Sequence, residues 1–324
     1  MNTLLPFFSP TQVLLIDDNY DTLDRLKNSL NPAIASYKAL DNPFKAVEYI
    51  NQSSSNLSYN QVVQSAESLL SGHIESFYEE IYATSRFQQI STMIVDYDMP
   101  GMNGIEVCQS INSPHIQKII LTGAASEKLA IDAFNAKDID YFIEKHDPEV
   151  LQKLEDLIVQ TQNKYFYSLT RHLTNIISYE SLESMGITDP VFIEFFYRFI
   201  NEKKICEYYL LDSIGTFLFL SADGEPSALF VFDDMLLMGQ EEMIPPEERT
   251  DDLLEDLDNH RKAICHHHFK HGHEYKILEW KDLIYPLSIL PGRETYYWAY
   301  APRLPYFKKD DIISFKKYTQ SLFD

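Results

Sequence analysis

The sequence VLLIDDN at residues 13–19 is a short apolar run that stops at two aspartates, and the same pattern recurs through the first half of the chain. Such a run with a polar end is typical of a buried strand, and an amphipathic stretch with leucines at helical spacing follows it. Five apolar runs alternate with helical patterns, which predicts an α/β domain whose parallel five-stranded sheet is covered on both faces. These runs lie at residues 13–16, 35–40, 93–95, 119–121 and 141–143.

Two segments depart from this alternation of strand and helix patterns. Residues 51–89 begin with a polar patch and continue with apolar residues at helical spacing, which predicts an inserted helix before the third strand. Pro148 suits the first turn of a helix, and no glycine or proline interrupts the helical pattern between it and Gly186, which predicts a long connecting helix over 148–178. We therefore expect one domain over 1–147 and a smaller α+β domain with an antiparallel sheet over 179–324, where β-rich runs are separated by turn residues.

The composition fits two globular domains and excludes several classes of protein. The chain has 324 residues, of which 45% are hydrophobic, and its 27 Lys+Arg against 49 Asp+Glu give a net charge of -22. So acidic a protein repels nucleic acid and anionic membranes. The three cysteines are too few for a disulfide framework, and no apolar stretch has the length of a membrane span. We expect a cytoplasmic protein.

Polar side chains follow four of the five expected strands where each strand ends. Asp17 and Asp18 follow the first, Asp96 the third, Thr122 the fourth, and Lys145 lies just past the fifth. In an open parallel sheet these carboxyl ends meet in one crevice. Three converging carboxylates repel one another unless a hard cation such as Mg²⁺ joins them. Such a cluster can hold an aspartate as a nucleophile toward a phosphoryl group, with the lysine supplying a positive charge.

Four motifs in this order resemble those of the receiver domains of two-component response regulators. They are VLLIDDN, IVDYDMPGMNGIEV at 94–107, LTG at 121–123 and FIEK at 142–145. The resemblance covers about residues 10–147. It implies a flavodoxin-like (CheY-like) fold with strand order 2-1-3-4-5 and a place in a bacterial phosphorelay. It also implies a sensor histidine kinase or phosphotransfer protein as partner.

The resemblance implies a role for each acidic residue of the crevice. Asp96 would be the phosphoryl acceptor. Asp18 and Asp96 would bind Mg²⁺ directly, Asp17 through a water molecule and Asp98 through its backbone carbonyl. No enzymatic activity is expected beyond this phosphoryl chemistry. The alternative is a receiver fold that has lost phosphorylation, but the acidic residues and the lysine that such a loss usually removes are all present.

The resemblance also implies a switch. Thr122 and Lys145 would move toward the phosphoryl oxygens, and Phe142 would be the aromatic switch residue. Two features depart from the family pattern. His146 stands where the family usually has a cis-proline, which leaves the geometry of this loop open. The insertion at 51–89 lies in a crossover at the opposite end of the sheet, so we expect the site to be kept.

Two further features leave alternatives open. The long helix over 148–178 has a roughly heptad-like stripe, which fits either a homodimer seam or a helix that packs on its own domain. The cluster His266–His273 has two histidines at i, i+4 spacing that could hold zinc, although a solvated helix end explains the cluster as well.

The second domain carries no basic surface for DNA. From residue 180 onward there are 15 Lys+Arg against 27 Asp+Glu, whereas a DNA-binding output needs a basic helix or wing. The block EYYLLDSIGTFLFLSADGEPSALFVF resembles a module at the C-terminus of uncharacterised bacterial response regulators. We expect this domain to dock a protein or sense a small ligand. The alternative is an enzyme that acts on a nucleotide, which converging histidines and acids within 251–273 would favour.

Overall fold

Two large sheets, each in its own compact unit, organise the part of the chain that the computed structural model describes. The described residues of the parallel-sheet unit fall within 9–56, 83–171 and 315–322, and those of the antiparallel-sheet unit within 4–8, 80–82 and 172–314. The described residues are 4–56, 80–123, 127–180, 186–212, 214–266, 280–304, 307 and 309–322.

The strands are numbered in chain order. They are β1 (Phe7–Phe8), β2 (Gln12–Ile16), β3 (Ser36–Leu40), β4 (Ile90–Asp96), β5 (Gln117–Thr122), β6 (Tyr141–Glu144), β7 (Ile205–Leu210), β8 (Phe217–Ser221), β9 (Pro226–Phe232), β10 (Lys262–Ile264), β11 (Ile284–Pro286), β12 (Ser288–Pro291) and β13 (Thr295–Ala301).

The α-helices of the described ranges are numbered in the same way. They are α1 (Tyr20–Ser29), α2 (Pro43–Asn56), α3 (Gly104–Gln109), α4 (Glu127–Asn135), α5 (Val150–Glu180), α6 (Pro190–Lys203), α7 (Asp234–Leu237), α8 (Asp251–Asp258) and α9 (Phe315–Ser321).

The parallel sheet has the order β3-β2-β4-β5-β6, and every neighbouring pair of its strands is parallel. Alternate side chains of each strand enter the cores on its two faces, as buried parallel strands require. Leu14 and Val95 lie in one core, and Val13 and Ile94 lie in the other. The α/β class that the sequence predicts and the flavodoxin-like strand order that the resemblance implies are confirmed.

The second large sheet is antiparallel throughout, in the order β1-β7-β8-β9-β13-β12. Helix α6 packs aromatic side chains on it: the ring centroid of Phe196 lies 4.5 Å from that of Phe217 and 5.1 Å from that of Tyr208. The expected α+β fold with an antiparallel sheet is therefore confirmed for this part of the chain.

The two units differ from the boundaries 1–147 and 179–324 at both ends of the chain. Strand β1 pairs with β7 through Phe7 and Phe8, so the N-terminal residues belong to the antiparallel-sheet unit. Helix α9 belongs to the parallel-sheet unit, where the ring of Phe315 lies 5.1 Å from that of Phe87. A two-residue strand and a seven-residue helix are too short to show which sheet they join from their periodicity.

The helix expected within 51–89 falls largely outside the described residues. Residues 51–56 are the last turns of α2, and residues 80–82 and 84–87 form two 3₁₀ turns rather than an α-helix. Most of the histidine cluster, for which the sequence leaves a zinc site and a solvated helix end open, also lies outside the described residues, at positions 267, 268, 271 and 273.

The long helix expected over 148–178 is observed as α5, which has 31 residues. Its first half is packed inside the parallel-sheet unit, where Leu154 and Ile158 are fully buried in one core. The Thr161 hydroxyl lies 2.8 Å from that of Thr92 on β4. None of the described helices combines the length and apolar content needed to cross a bilayer.

All three cysteines are free. Burial raises the pKa of the Cys108 thiol to about 12 and also raises that of Cys265, whereas Cys206 is only half-buried. Because the thiolate is the reactive form, we expect Cys108 and Cys265 to be alkylated at pH 8 more than about tenfold more slowly than Cys206 in the native protein. Peptide-resolved mass spectrometry measures the three rates, and equal rates would contradict the described burial.

Candidate functional site

Three carboxylates meet at the carboxyl edge of the parallel sheet. In the register of β2 and β4, Ile16 lies beside Val95, so Asp17 follows beside Asp96. One carboxylate oxygen from each of Asp17, Asp18 and Asp96 lies within 4.8 Å of the others. Asp17 and Asp96 are only 2% and 6% exposed, whereas Asp18 is exposed. The three carboxylates that follow the first and third strands of the sequence thus come together.

Lys145 joins the two buried carboxylates. Its Nζ lies 2.9 Å from Asp17 Oδ2 and 2.8 Å from Asp96 Oδ1. Burial alone would lower the pKa of Lys145, but the hydrogen bonds to Asp96 and Asp17 outweigh it and raise that pKa. The lysine is therefore fully charged at neutral pH. Every described peptide bond is trans, including that of His146, and the loop still delivers the ammonium group to the cluster.

Opposing influences act on the carboxyl group of Asp96. Burial raises the pKa of Asp96 above the usual range, and nearby Asp17 adds to the rise, while Lys145 and the backbone N–H of Asp98 act against it. That N–H donates to Asp96 Oδ1 over 3.3 Å. A carboxylate that is buried but held by hydrogen bonds has lost much of the water that would compete for a substrate.

The donor set suits a hard divalent cation. Three carboxylates and one ammonium leave a net negative charge in a partly buried crevice, and Mg²⁺ prefers such oxygen ligands together with water and phosphate. The side chain of Asp98 is exposed in the loop directly after β4, and the expected role of its backbone carbonyl stays a prediction.

The two residues expected to complete the switch lie on the neighbouring strands. Thr122 ends β5, is fully buried, and its hydroxyl donates to the carbonyl of Gly123 over 2.9 Å. The Lys145 N–H donates to the Thr122 carbonyl, also over 2.9 Å. Phe142 of β6 lies beside Ile120 of β5 and is half-buried against a core of the sheet. A backbone hydrogen bond thus joins Thr122 to Lys145, and Phe142 lies on the strand that leads to Lys145. The movement of these residues stays a prediction.

The loop after Asp96 is held by a close backbone contact at Gly104. The Gly104 N–H donates to the carbonyl of Tyr97 over 3.0 Å, and a Cβ at Gly104 would lie 2.3 Å from the backbone oxygen of Asp96. Only glycine can therefore stand at this position without moving the strand end that carries Asp96.

Sequence reasoning missed two features of the site. Lys145 contacts Asp17 as closely as it contacts Asp96, which the spacing of strands cannot reveal. Asn103 and Glu106 form a capping box at the start of α3: Asn103 Oδ1 accepts from the Glu106 N–H over 3.0 Å, and Glu106 Oε2 accepts from the Asn103 N–H over 2.8 Å. The spacing of an asparagine three residues before a glutamate is the signal that could have found it.

We expect Asn103→Ala to lower the free energy of unfolding by about 1 kcal/mol, because the N–H groups at the start of α3 lose their partner. Urea unfolding followed by circular dichroism measures the change. Asn112→Ala, at an exposed position of the loop after α3, is the matched control and should change stability by less than about 0.5 kcal/mol. Equal effects of the two substitutions would contradict a stabilising cap.

The chain is similar over its full length to a known response regulator. The LqsR response regulator of Legionella pneumophila is 30% identical, with 99% of this chain and 97% of that chain covered and a TM-score of 0.74. The family model described as the response regulator receiver domain matches residues 71–155, which include Asp96, Thr122 and Lys145 but not the Asp17–Asp18 pair.

Other solved structures match only part of the chain. An adenylate cyclase from Rhodopirellula baltica is 21% identical over 51% of this chain and 97% of its own, with a TM-score of 0.38. A response regulator receiver domain protein from Clostridium thermocellum is 18% identical over 48% and 95%, with a TM-score of 0.34. Scores this low support no conclusion. Curated proteins show no match.

Proposed function

The chain belongs to the response-regulator family, and from this membership we propose that it is a phosphorylation switch whose acceptor is Asp96. The observation that carries the proposal is the contact of one lysine with two buried aspartates beside a third carboxylate. The ammonium group of Lys145 balances the charge of the two buried carboxylates, and it can later pair with a phosphoryl group on one of them.

In the proposed reaction, a carboxylate oxygen of Asp96 attacks the phosphorus of a phosphorylated kinase, phosphotransfer protein or small phosphodonor. A new P–O bond to Asp96 forms while the bond from phosphorus to the donor breaks, and the donor leaves with the electron pair. Asp17, Asp18 and Asp96 would hold Mg²⁺, which supplies positive charge to the phosphoryl oxygens. Lys145 is already 2.8 Å from Asp96 and would orient and neutralise the same oxygens.

Phosphorylation would change the charge balance of the site. A phosphoryl group adds about -1.5 to -2 charges, so Lys145 would pair with it instead of with Asp17, and the Thr122 hydroxyl would leave the Gly123 carbonyl for a phosphoryl oxygen. Phe142 on β6 would follow this movement. Converting a 1:99 mixture of two states into 99:1 requires about 5.5 kcal/mol of preference for the active state.

The output of the proposed switch is docking of a protein rather than DNA binding. The residues from 180 onward carry 15 Lys+Arg against 27 Asp+Glu, so DNA phosphates would meet a repulsive field. Helix α5 starts a few residues after Lys145 and would carry the change onward, either within one chain or through a homodimer.

The proposal is tested by treating the full chain with a small phosphodonor and Mg²⁺ and measuring its intact mass. Wild type is expected to gain one phosphoryl group, and Asp96→Asn and a sample with the cation chelated are expected to gain none. Lys153→Met, which removes an exposed lysine that pairs with Asp147 and Glu149 and with none of the three carboxylates, should label like wild type. An unlabelled wild type under conditions that label a known receiver would overturn the proposal.

A further inference from the structure

Four large apolar side chains are exposed within nine consecutive residues of the antiparallel-sheet unit. Met235 and Met238 are 74% and 76% exposed, and Leu236 and Met243 are nearly half exposed. We call these four residues the methionine patch. Gly239, between them, has a φ of 78° and open space around it. Exposed apolar side chains are ordinary when single, but a group of four within nine residues indicates an interaction surface.

The segment that carries the methionine patch is anchored rather than loose. Asp233 caps α7 by accepting from the Leu236 N–H over 2.8 Å, and Leu237 is buried. Gln240 is also buried, and its Oε1 accepts from the Ile264 N–H of β10 over 2.8 Å. Ile244 is 1% exposed. Because its neighbours are fixed, the patch is presented outward by the fold.

The patch lies in the most acidic stretch of the chain. Residues 233–258 contain eleven Asp+Glu and a single basic residue, Arg249. The Arg249 Nε donates to the carbonyl of Ile244 over 2.9 Å. Some of the acids are paired, such as Asp256 with Arg261 and Lys262. Four of the eleven acids form ion pairs with described residues. The other seven make no ion pair with any residue that the structure describes: Asp233, Glu241, Glu242, Glu247, Asp251, Asp252 and Asp258.

We infer that the methionine patch docks a basic amphipathic helix of a protein partner. This inference rests on the proposed docking role of the output and names the chemistry of its partner. Methionine side chains adapt to varied apolar partners, and an amphipathic helix places apolar residues at spacings of three and four against such a surface. The unpaired acids of the same stretch attract a helix whose other faces carry lysine or arginine, and they repel nucleic acid and anionic membranes.

Binding of synthetic peptides to the full chain tests the inference. The probe is a labelled peptide of about 18 residues, five helical turns, with leucine at helical spacing and lysine elsewhere. We expect it to bind wild type, and to bind Met235→Ser/Met238→Ser at least about tenfold more weakly, because two exposed apolar contacts are lost. Both positions are exposed, so the substitutions leave the core intact. Val191→Ser, at an exposed apolar position of α6, is the matched control and should bind as wild type does.

The electrostatic part of the inference has its own variant. Glu241→Gln/Glu242→Gln should weaken binding and reduce its dependence on salt. A peptide of the same composition without an apolar stripe should bind at least about tenfold more weakly than the probe. Equal binding of the two peptides to the chain would overturn the inference, and so would equal binding of the probe to wild type and to the serine variant. Binding of the chain to vesicles of anionic lipid that is stronger than its binding to the probe would also overturn it.

The peptide experiment is independent of phosphorylation. It uses the unphosphorylated chain with no phosphodonor present, and this chain is expected to bind the probe. If Asp96 accepts phosphate but the peptide does not bind as described, the docking inference alone fails. If the peptide binds but Asp96 is not labelled, the proposed switch alone fails.

Discussion

Lys145→Met is expected to lower the free energy of unfolding by about 3–5 kcal/mol in the absence of divalent cations. The substitution leaves Asp17 and Asp96, both buried and each within 2.9 Å of the lost ammonium group, without a compensating charge. Removing one partner of a buried ion pair costs far more than removing a surface pair, because the remaining charge stays out of water. Urea unfolding of the full chain followed by circular dichroism measures the loss.

Mg²⁺ should restore much of the stability of this variant. A ligand that binds only the folded state at 100 times its Kd stabilises by about 2.7 kcal/mol, and in the variant it no longer competes with the lysine for the carboxylates. The gain on adding Mg²⁺ should therefore be larger for Lys145→Met than for wild type. Lys153→Met, which breaks a surface pair with Asp147, should cost less than about 1 kcal/mol and show the gain of wild type. Equal stability of Lys145→Met and wild type without the cation would contradict the described ion pairs.

Gly104→Ala is expected to destabilise the protein by about 1–3 kcal/mol and to weaken Mg²⁺ binding at the same time. The new Cβ would lie 2.3 Å from the backbone oxygen of Asp96 and 3.1 Å from Ile120 Cδ1. A backbone atom cannot turn aside as a flexible side chain can, so the end of β4 must shift and carry the Asp96 carboxylate with it. Thermal unfolding with and without Mg²⁺ measures both effects.

Gly123→Ala is the matched control for this substitution. A Cβ at Gly123 meets no atom within 4 Å, so the change should alter stability by less than about 0.5 kcal/mol. If Gly104→Ala behaved in the same way, the close approach of α3 to the strand end would not be a feature of the folded protein.

The sequence predicts the parallel sheet well because apolar runs and helical patterns alternate regularly through this part of the chain. Apart from the weaker strand β3, its strands contain apolar runs, and most of them end near the polar residues that form the site. The meeting of Asp17 with Asp96 therefore follows from strand order. The third and fourth runs, around Val95 and Ile120, are hydrophobic on both faces, as fully buried strands must be.

What the sequence does not predict depends on contacts between distant residues. Strand β1 has two residues and pairs with β7 some two hundred positions later, which no local period can show. The shared contact of Lys145 with Asp17 and Asp96 depends on the direction of one flexible side chain. The methionine patch is similar: the spacing of Met235 and Met238 does not reveal that Leu237, between them, is the buried residue.

The acceptor role of Asp96 is tested most directly by peptide mapping of the chain after treatment with a phosphodonor and Mg²⁺. Reduction of the acyl phosphate with borohydride would mark the modified carboxyl group permanently. Fragment-ion sequencing of the marked peptide separates Asp96 from Asp98, which lies two residues further on. We expect the mark on Asp96 and on no other residue. A mark on Asp17, Asp18 or Asp98 instead, or none where a known receiver is marked, would contradict the account.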